Sequence, residues 1–397
     1  MSLCQCRSED RHRLLTKGVE EEVYTGTANG TVIGLSHLLA ERDPVYETEP
    51  DSRNVEYRTG VHRCYASLAR QLLERRQRLR RDIAAIGPYT LIPGGALALA
   101  PLDAFHISKP DNAYYRWIKH NYGSRVVTAG VHFNLGVTDV DRLLRAWRVL
   151  RLEACMFLAC TAASPFLAGT PTGRHSTRWH RFPRTPARVP FLADADAFKR
   201  WVCHRLSDGQ MQSHRHLWLA ARPNGPASPC LIDRLELRIC DQIWEPDLLL
   251  AMQAFYEALI QDALADPGCD PVSRDPDADW CALQEANENA VARDSLAAMV
   301  VDWRSGRTMT AAALITQRLE RLRPLAADRG FAEWLAPLHR VLTEGNTAQQ
   351  WLALHARGMS VAAIVQHFAG IMRERENVCA RQLDPSAPDL ADCRSCG

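Results

Sequence analysis

Four short segments of the chain carry polar, chemically active side chains at every second residue, with apolar side chains between most of them. The pairs are Glu20 and Glu22, Asn54 and Glu56, His132 and Asn134, and Glu236 and Arg238. In a β-strand, residues two apart share a face. Each segment therefore predicts a strand with one apolar face and one face that bears carboxylates, an imidazole or a guanidinium.

If these strands belong to one sheet, its polar face holds at least four carboxylates and the imidazole of His132. Such a cluster repels itself unless cations neutralise it. Oxygen ligands with one imidazole suit Mg²⁺ or Mn²⁺ better than they suit the cysteine-rich sites of structural zinc. The alternative is that each polar face simply meets water, as is common for antiparallel strands. The residues alone leave both interpretations open.

Phosphate chemistry is the natural use of a magnesium site with several carboxylates, because metal ions neutralise nucleotide phosphates. A P-loop is rejected, since three evenly spaced glycines near residue 30 lack the Gly-Lys-Ser/Thr ending and predict turns instead. Arg178, Arg222 and Arg238 are candidate anion contacts, because the guanidinium fork matches carboxylate and phosphate oxygens. Each arginine alone is more often a surface or ion-paired residue.

The elements that must position these residues change character along the chain. Strand-like segments lie at 19–25, 54–58, 90–100, 125–137, 216–222 and 231–241, and helical spacing separates them at 62–86 and from 139 to about 160. After residue 246 only helical spacing is found, at 247–266, 278–303, 310–328, 331–342, 348–356 and 361–376. The pattern predicts an α+β fold in which an early sheet packs against helices and a helical C-terminal part follows.

Composition excludes several classes of protein. The chain has 397 residues, of which 46% are hydrophobic and 24% charged, so it is not a disordered protein. A net charge of +2 argues against a nucleic-acid scaffold, and no apolar run reaches the roughly 18 residues of a membrane span. The polar segment 1–11 has no signal-peptide character, and the thirteen cysteines are odd in number and scattered. We expect a soluble cytoplasmic protein with reduced thiols.

Two further motifs have simple interpretations. Cys4 and Cys6, with Cys393 and Cys396, could bind zinc or form a redox pair, but unmodified tails are the simpler interpretation. The arginine-rich run 75–81 invites a nucleic-acid role. Leucines at helical spacing punctuate it, so it predicts a solvated helix face and no nucleic-acid partner.

Nine longer motifs follow one another in order between residues 17 and 376. They are 17–26, 49–57, 89–94, 131–134, 163–166, 172–179, 215–218 with 222–225, 234–241 and 344–351. Together they resemble the glutamate–cysteine ligases, especially the cyanobacterial type, within the glutamine-synthetase-like carboxylate–amine ligases. A resemblance that keeps its order over this length is more specific than any single motif.

The resemblance implies a glutamine-synthetase-like, mainly antiparallel sheet with one polar catalytic face. It also implies an activity: ATP phosphorylates the γ-carboxylate of L-glutamate, and the amine of L-cysteine then displaces phosphate. The product, γ-glutamylcysteine, is the first intermediate of glutathione synthesis. The implied cofactor is Mg²⁺, with Mn²⁺ as an alternative. Two other functions stay open: a related ligase with another amine acceptor, and a catalytically silent homologue that binds nucleotide or metal as a sensor.

By position, the resemblance also assigns roles to single residues. The implied metal ligands are Glu20, Glu22, Glu56, His132 and Glu236. Arg238 corresponds to the phosphate-contacting arginine and Arg222 to a second contact with the anionic substrate, which makes both catalytic candidates. Asn134 corresponds either to a ligand or to a residue that supports the ligands, and we favour support; Arg178 is expected to contact nucleotide or glutamate. Glu21 lies where the family often has an apolar residue, which puts the burial of that strand's other face in question.

The same resemblance implies a single catalytic domain over residues 17–376, sheet-rich at 17–245 and helical at 246–376. Residues 1–16 are then expected to form a flexible arm, and 377–397 a flexible tail that contains cysteines.

Overall fold

A computed structural model describes residues 13–100 and 105–383 of the chain. The strands within these ranges are β1 (Lys17–Thr27), β2 (Tyr46–Thr48), β3 (Asn54–Arg58), β4 (Tyr89–Ile92), β5 (Gly130–Gly136), β6 (Phe166–Leu167), β7 (Thr170–Pro171), β8 (Ala221–Asn224), β9 (Arg234–Asp241), β10 (Met299–Val301) and β11 (Thr308–Thr310). The cysteine pairs near the two termini lie outside the described residues.

The helices are α1 (Ser36–Arg42), α2 (Tyr65–Ala84), α3 (Ala113–Tyr122), α4 (Val140–Thr161), α5 (Thr177–Arg181), α6 (Ala195–Ser207), α7 (Pro246–Ala265), α8 (Pro271–Arg274), α9 (Trp280–Asp294), α10 (Ala311–Asp328), α11 (Pro337–Glu344), α12 (Thr347–Ala356) and α13 (Val361–Leu383). Capping residues and prolines mark where several of these helices begin. The side chain of Asp139 caps α4 by accepting from the backbone N–H of Arg142, and Pro246 occupies the first turn of α7.

Seven strands form one sheet, in the order β2-β3-β1-β5-β9-β8, with β4 paired to the second half of β1. Every pairing in this sheet is antiparallel. Helix α4 packs against β8 and β9, and α7 packs against β5. The predicted α+β fold, with an antiparallel sheet and a helical C-terminal part, is therefore confirmed.

Helix α7 is long and apolar enough to cross a membrane by length and composition, but 83% of its most apolar window is buried inside the protein. It contacts α4, α10, α11 and α2 as well as the sheet. Its apolar sides are therefore covered by other helices, as expected of a core helix.

An extra residue in β9 changes which side chains face which side of the sheet. Val131 pairs with Cys240, but Phe133 pairs with Leu237, so the stretch of β9 opposite His132 is one residue longer than that of β5. Such a β-bulge resets the alternation of side chains along a strand. Asp241 consequently faces the same side of the sheet as Glu236.

Several predicted bounds shift in the structure. The predicted helix 278–303 stops at Asp294, because Ser295 has a φ of +44° and 3₁₀ geometry follows. Strands β10 and β11 then form a hairpin in a region where only helices were expected. Residues 377–383 of the predicted flexible tail belong to helix α13, which ends at Leu383. At the other end, Leu14 of the predicted arm is buried in the core.

The arginine-rich run of α2 is only partly solvated, which corrects the prediction for residues 75–81. Arg78 and Arg81 are exposed, as expected. Arg76 and Arg80, four residues apart and therefore on one side of the helix, are buried. Glu21 is also buried, at 1% exposure, so the question raised about the back face of β1 is answered: that face is covered.

Candidate active site

The register of the sheet brings the predicted metal ligands onto one face. Glu20 of β1 pairs with His132 of β5, and Glu22 pairs with Glu56 of β3. Glu236 of β9 is aligned with Asn134 of β5, two residues beyond His132 along that strand. Residues from four neighbouring strands thus meet above the centre of the sheet, as the alternation pattern predicted.

Their side chains are close enough to share cations. His132 Nδ1 lies 3.4 Å from Glu20 Oε2 and 3.9 Å from Glu236 Oε1, and His132 Nε2 lies 3.6 Å from Glu22 Oε1. Two groups have ligand atoms within 4.8 Å of one another: Glu20, Glu56 and His132, and Glu22, Glu49 and Glu56. Glu56 belongs to both groups, so the two positions adjoin.

Glu49 is a member of the second group that the sequence did not reveal as a ligand. It follows β2 and precedes Pro50, outside any regular strand. Strand alternation could nonetheless have indicated Glu49. Glu47 in β2 pairs with Glu56, and Glu49 stands two residues further on, where the same face continues.

Burial, followed by repulsion from neighbouring carboxylates, raises the pKa of Glu56 well above its usual value and that of Glu49 to about 8. Burial also opposes ionisation of Glu20 and Glu236. At Glu20, burial is the largest single effect, but the hydrogen bond and charge interaction with His132, together with the charge of Arg238, lower the pKa. At Glu236, the charges of Arg222 and Arg238 together outweigh burial and hold the pKa well below its usual value. The face therefore combines carboxylates that resist ionisation with carboxylates that favour it.

These residues fit a divalent cation. His132 Nε2 is buried and has no hydrogen-bond partner among the described residues, although it points towards Glu22. A cation beside Glu49 and Glu56 would remove the repulsion that raises their pKa values. Carboxylate oxygens with a single imidazole are donors that suit Mg²⁺ or Mn²⁺.

Two predicted arginines surround Glu236 and set its orientation. Arg222 donates to both carboxylate oxygens of Glu236, from Nε at 2.8 Å and from Nη2 at 3.1 Å, and Asn224 Nδ2 donates at 2.6 Å. Arg238 Nη1 also bonds to Glu236 and lies 3.4 Å from His132 Nδ1. Both guanidinium groups therefore lie at the carboxylate cluster.

Asn134 contacts a predicted ligand rather than standing apart from the cluster. Its Nδ2 donates to Glu20 Oε1 at 3.2 Å, while its Oδ1 is buried without a partner in the described part of the chain. This geometry agrees with the supporting role expected for Asn134, because such a bond orients the carboxylate.

Arg178 reaches the edge of the face from α5. Its Nη1 and Nη2 donate to the backbone carbonyls of Ile239 and Arg238, both at 3.2 Å, and its Nε is buried without a partner in the described ranges. The guanidinium lies over Gly130, where a Cβ would stand only 2.2 Å from Nη2. The N–H of Gly130 donates to Glu22 Oε2 at 2.7 Å, so this glycine joins Arg178 to the cluster.

Two cavities open onto the carboxylate face, with volumes of about 640 and 450 Å³. Both are lined in part by Glu20, Arg58 and Arg234, so they meet at the cluster. The larger cavity lies at the start of β1 and the end of β5. The smaller one has an aromatic wall formed by Tyr114, Tyr115, Phe182 and Trp218.

His216 is buried in the aromatic group behind this wall. Its ring lies 4.7 Å from Trp218 and 4.9 Å from Trp117, and its Nδ1 accepts from the backbone N–H of Gln212. Burial lowers the pKa of His216 from 6.5 to about 4. The imidazole is therefore neutral in the folded protein at neutral pH.

We expect His216 to make the protein acid-sensitive. Between pH 6.5 and 4 the unfolded chain binds a proton at this residue that the folded chain excludes, so stability falls as the pH falls. The loss between pH 7 and pH 5 amounts to about 2 kcal/mol. Urea unfolding at pH 7 and at pH 5 measures this loss of stability. The variant His216→Asn keeps an acceptor for the N–H of Gln212 and should reduce the pH dependence. An unchanged dependence in the variant would contradict the assignment.

Comparison with known proteins agrees with this geometry. Residues 16–373 match the model of glutamate–cysteine ligase family 2. A protein of Sorangium cellulosum, provisionally named glutamate–cysteine ligase 2, is 26% identical over 366 residues, covering 88% of this chain and 94% of its own. A protein of Rubrobacter xylanophilus, provisionally named glutamate–cysteine ligase 2-3, is 26% identical over 370 residues, covering 91% and 93%.

Solved structures share the fold at lower identity. Glutamate–cysteine ligase from Francisella tularensis, in complex with AMP, has a TM-score of 0.70 at 12% identity and covers 93% of this chain and 92% of its own. A bifunctional glutathione synthetase from Pasteurella multocida has a TM-score of 0.69 at 14% identity, and the chain spans about half of it, 53%. Since the family match covers nearly all of the described residues, the chain belongs to glutamate–cysteine ligase family 2 and is a ligase of that type.

Proposed function

We propose that the protein is an ATP-dependent glutamate–cysteine ligase that forms γ-glutamylcysteine through a γ-glutamyl phosphate. The observation that carries this proposal is the pair of adjoining carboxylate groups that share Glu56, flanked by Arg222 and Arg238. A transfer of phosphate to a carboxylate brings several negative charges together, and a site of this composition can neutralise them.

The chemistry explains why such a site is needed. A carboxylate is a poor electrophile, and conversion to an acyl phosphate supplies a leaving group that the amine can displace. Bound Mg²⁺ ions would supply charge neutralisation at the phosphates. The two carboxylate groups and His132 would hold the ions, and Arg238 would contact the transferred phosphate. Arg222 would keep Glu236 oriented, so most of the rate enhancement would come from positioning and charge.

The two cavities support separate entry of the substrates. Arginines line both cavities and suit anionic substrates: Arg63 and Arg142 belong to the larger cavity alone, and Arg178, Arg222 and Arg238 to the smaller one. The smaller cavity is also lined by Glu22, Glu49, Glu56 and His132, so the transferred phosphate and the γ-carboxylate of glutamate would meet there. We therefore place phosphate transfer in the smaller cavity, with the larger cavity as a second route to the cluster, in a cytoplasmic protein with reduced thiols.

The acceptor amine is the least constrained part of the proposal. Tyr114, Tyr115, Phe182 and Trp218 offer a wide apolar wall, which also favours a related ligase with a larger amine acceptor. A catalytically silent sensor is less well supported. A protein that only binds nucleotide has no need for a carboxylate such as Glu236 held by two arginines.

One assay tests the reaction. The purified protein, with ATP and Mg²⁺, should release phosphate only when glutamate and cysteine are both present, and mass spectrometry should detect γ-glutamylcysteine. Product formed with another amine but not with cysteine would favour the related ligase. No product with any amine tested, despite nucleotide binding, would favour the sensor.

A further inference from the structure

A buried ion pair lies directly beneath the carboxylate face, on the other side of the sheet. Glu21 stands between Glu20 and Glu22 in β1, so strand alternation turns it away from them. Arg76 of α2, which is fully buried, donates to the carboxylate of Glu21 from Nε at 3.0 Å and from Nη2 at 2.7 Å. The strand that supplies two candidate ligands is thus held from behind by a bidentate bond.

The same guanidinium also holds the strand that supplies Glu236. Arg76 Nη2 donates to the carbonyl of Ile243 at 2.6 Å, and Nη1 donates to that of Trp244 at 2.8 Å. Ile243 and Trp244 lie two and three residues after the end of β9 at Asp241. Because all the donors of one planar group are fixed relative to one another, Arg76 sets the distance between β1 and the end of β9.

A third connection runs to β3. The hydroxyl of Tyr57 donates to Glu21 Oε2 at 2.5 Å and lies 3.3 Å from Arg76 Nε. Tyr57 is the neighbour of Glu56, the carboxylate shared by both candidate cation positions. All three strands that carry candidate carboxylate ligands therefore meet at one arginine.

Helix α13 closes the cluster. Glu376 is fully buried, and its Oε1 lies 3.8 Å from Arg76 Nη1. Arg80 bonds to both oxygens of Glu376 and donates to Thr90 at 3.1 Å. Two arginines and two glutamates balance in charge, so the cluster needs no other partner to be neutral.

We propose that Arg76 is a positioning residue for the divalent-cation site. Through Glu21, Tyr57 and the carbonyls after β9, it fixes the carboxylates on the opposite face at cation-binding distance. The inference rests on the proposed function, which supplies the cation site. Residues that orient metal ligands typically change metal affinity by about 10- to 100-fold when they are replaced.

The test removes the ion pair without leaving a charge buried. In the double variant Glu21→Leu/Arg76→Met, apolar side chains of similar size replace both partners, a change that often leaves stability unchanged or higher. We expect the dissociation constant for Mn²⁺ alone, measured by electron paramagnetic resonance of the free ion, to rise about 10- to 100-fold. Thermal unfolding without metal should remain cooperative, with a lower midpoint because the carbonyls of Ile243 and Trp244 lose their donors.

A matched control is a second buried ion pair, between α4 and the start of α8. Arg148 donates to Asp270 from Nε at 2.8 Å and to the carbonyls of Leu192 and Ala193, and both charged residues are buried. The variant Arg148→Met/Asp270→Asn removes an equivalent pair that joins α4 to α8, so its Mn²⁺ affinity should match the wild type. An equal loss of affinity in both double variants would overturn the inference.

Other outcomes are equally decisive. A folded Glu21→Leu/Arg76→Met variant with wild-type affinity for Mn²⁺ overturns the positioning role. If that variant does not fold, Tyr57→Phe decides, because it removes one hydroxyl and should raise the dissociation constant at least about threefold; no change refutes the inference. A wild type that binds no Mn²⁺ refutes the cation site itself. A wild type that binds Mn²⁺ but forms no product refutes only the ligase reaction.

Discussion

Replacing Glu236 with Gln is expected to lower turnover by about a thousandfold while the fold stays intact. Glu236 is 1% exposed, accepts hydrogen bonds from Arg222, Arg238 and Asn224, and lies 3.9 Å from His132. Glutamine keeps the shape but loses the charge that both arginines and a cation would share. Steady-state kinetics at saturating substrates measures the loss, and circular dichroism checks the fold.

The control is a second Glu→Gln substitution, at a buried carboxylate away from the candidate active site. Glu153 of α4 is a fully buried carboxylate that pairs with Arg318 of α10 and with Arg304, between β10 and β11. Glu153→Gln should lower the thermal stability but leave turnover close to that of the wild type. Wild-type turnover in the Glu236 variant would remove that residue from the site.

Arg238→Lys is expected to lower kcat by about 100-fold or more, with a change of less than about threefold in Mn²⁺ affinity. Arg238 bonds to Glu236 through Nη1 alone, which leaves its other donors to contact a phosphate. A lysine retains one charge but cannot reproduce a planar fork on phosphate oxygens. The loss should therefore fall on the chemical step, and pre-steady-state phosphate release measures it.

Arg222→Lys provides a contrast within the same cluster. Arg222 donates from Nε and Nη2 to the two carboxylate oxygens of Glu236, and from Nη1 to the carbonyl of Arg215. Lysine cannot make three such bonds, so this variant should bind Mn²⁺ more weakly through a misplaced Glu236. An equal loss of Mn²⁺ affinity in Arg238→Lys and Arg222→Lys would contradict the separate roles of a phosphate contact for Arg238 and of orienting Glu236 for Arg222.

Much of the carboxylate face follows from alternation along single strands. Glu20, Glu22 and Glu56 share a face because residues two apart must do so, and antiparallel pairing then aligns one strand with the next. Their roles as metal ligands remain predictions. The position of His132 on this face was equally predictable, because apolar residues flank it on both sides.

Other features depend on contacts that are distant in sequence. Glu49 lies outside a regular strand, so no periodicity marked it, and only the packing of its loop brings it to Glu56. Arg76 occurs in a run of arginines that looks solvated, since a buried arginine is rare without a partner and Glu21 is 55 residues away. The sequence did not predict the end of α9, because a serine, Ser295, adopts the left-handed φ there and a glycine would have been the expected marker.

The extra residue in β9 sets a limit on how this segment can vary in length. On one side of the bulge, Glu236 accepts hydrogen bonds from Arg222 and Asn224. On the other side, Asp241 accepts hydrogen bonds from Ser164, Ser176 and the backbone N–H of Ala163. Deleting one residue between these two acids would turn one of them to the opposite face. Homologous chains that keep both acids should therefore keep four residues between them, and insertions should accumulate in the turn before Arg234 instead.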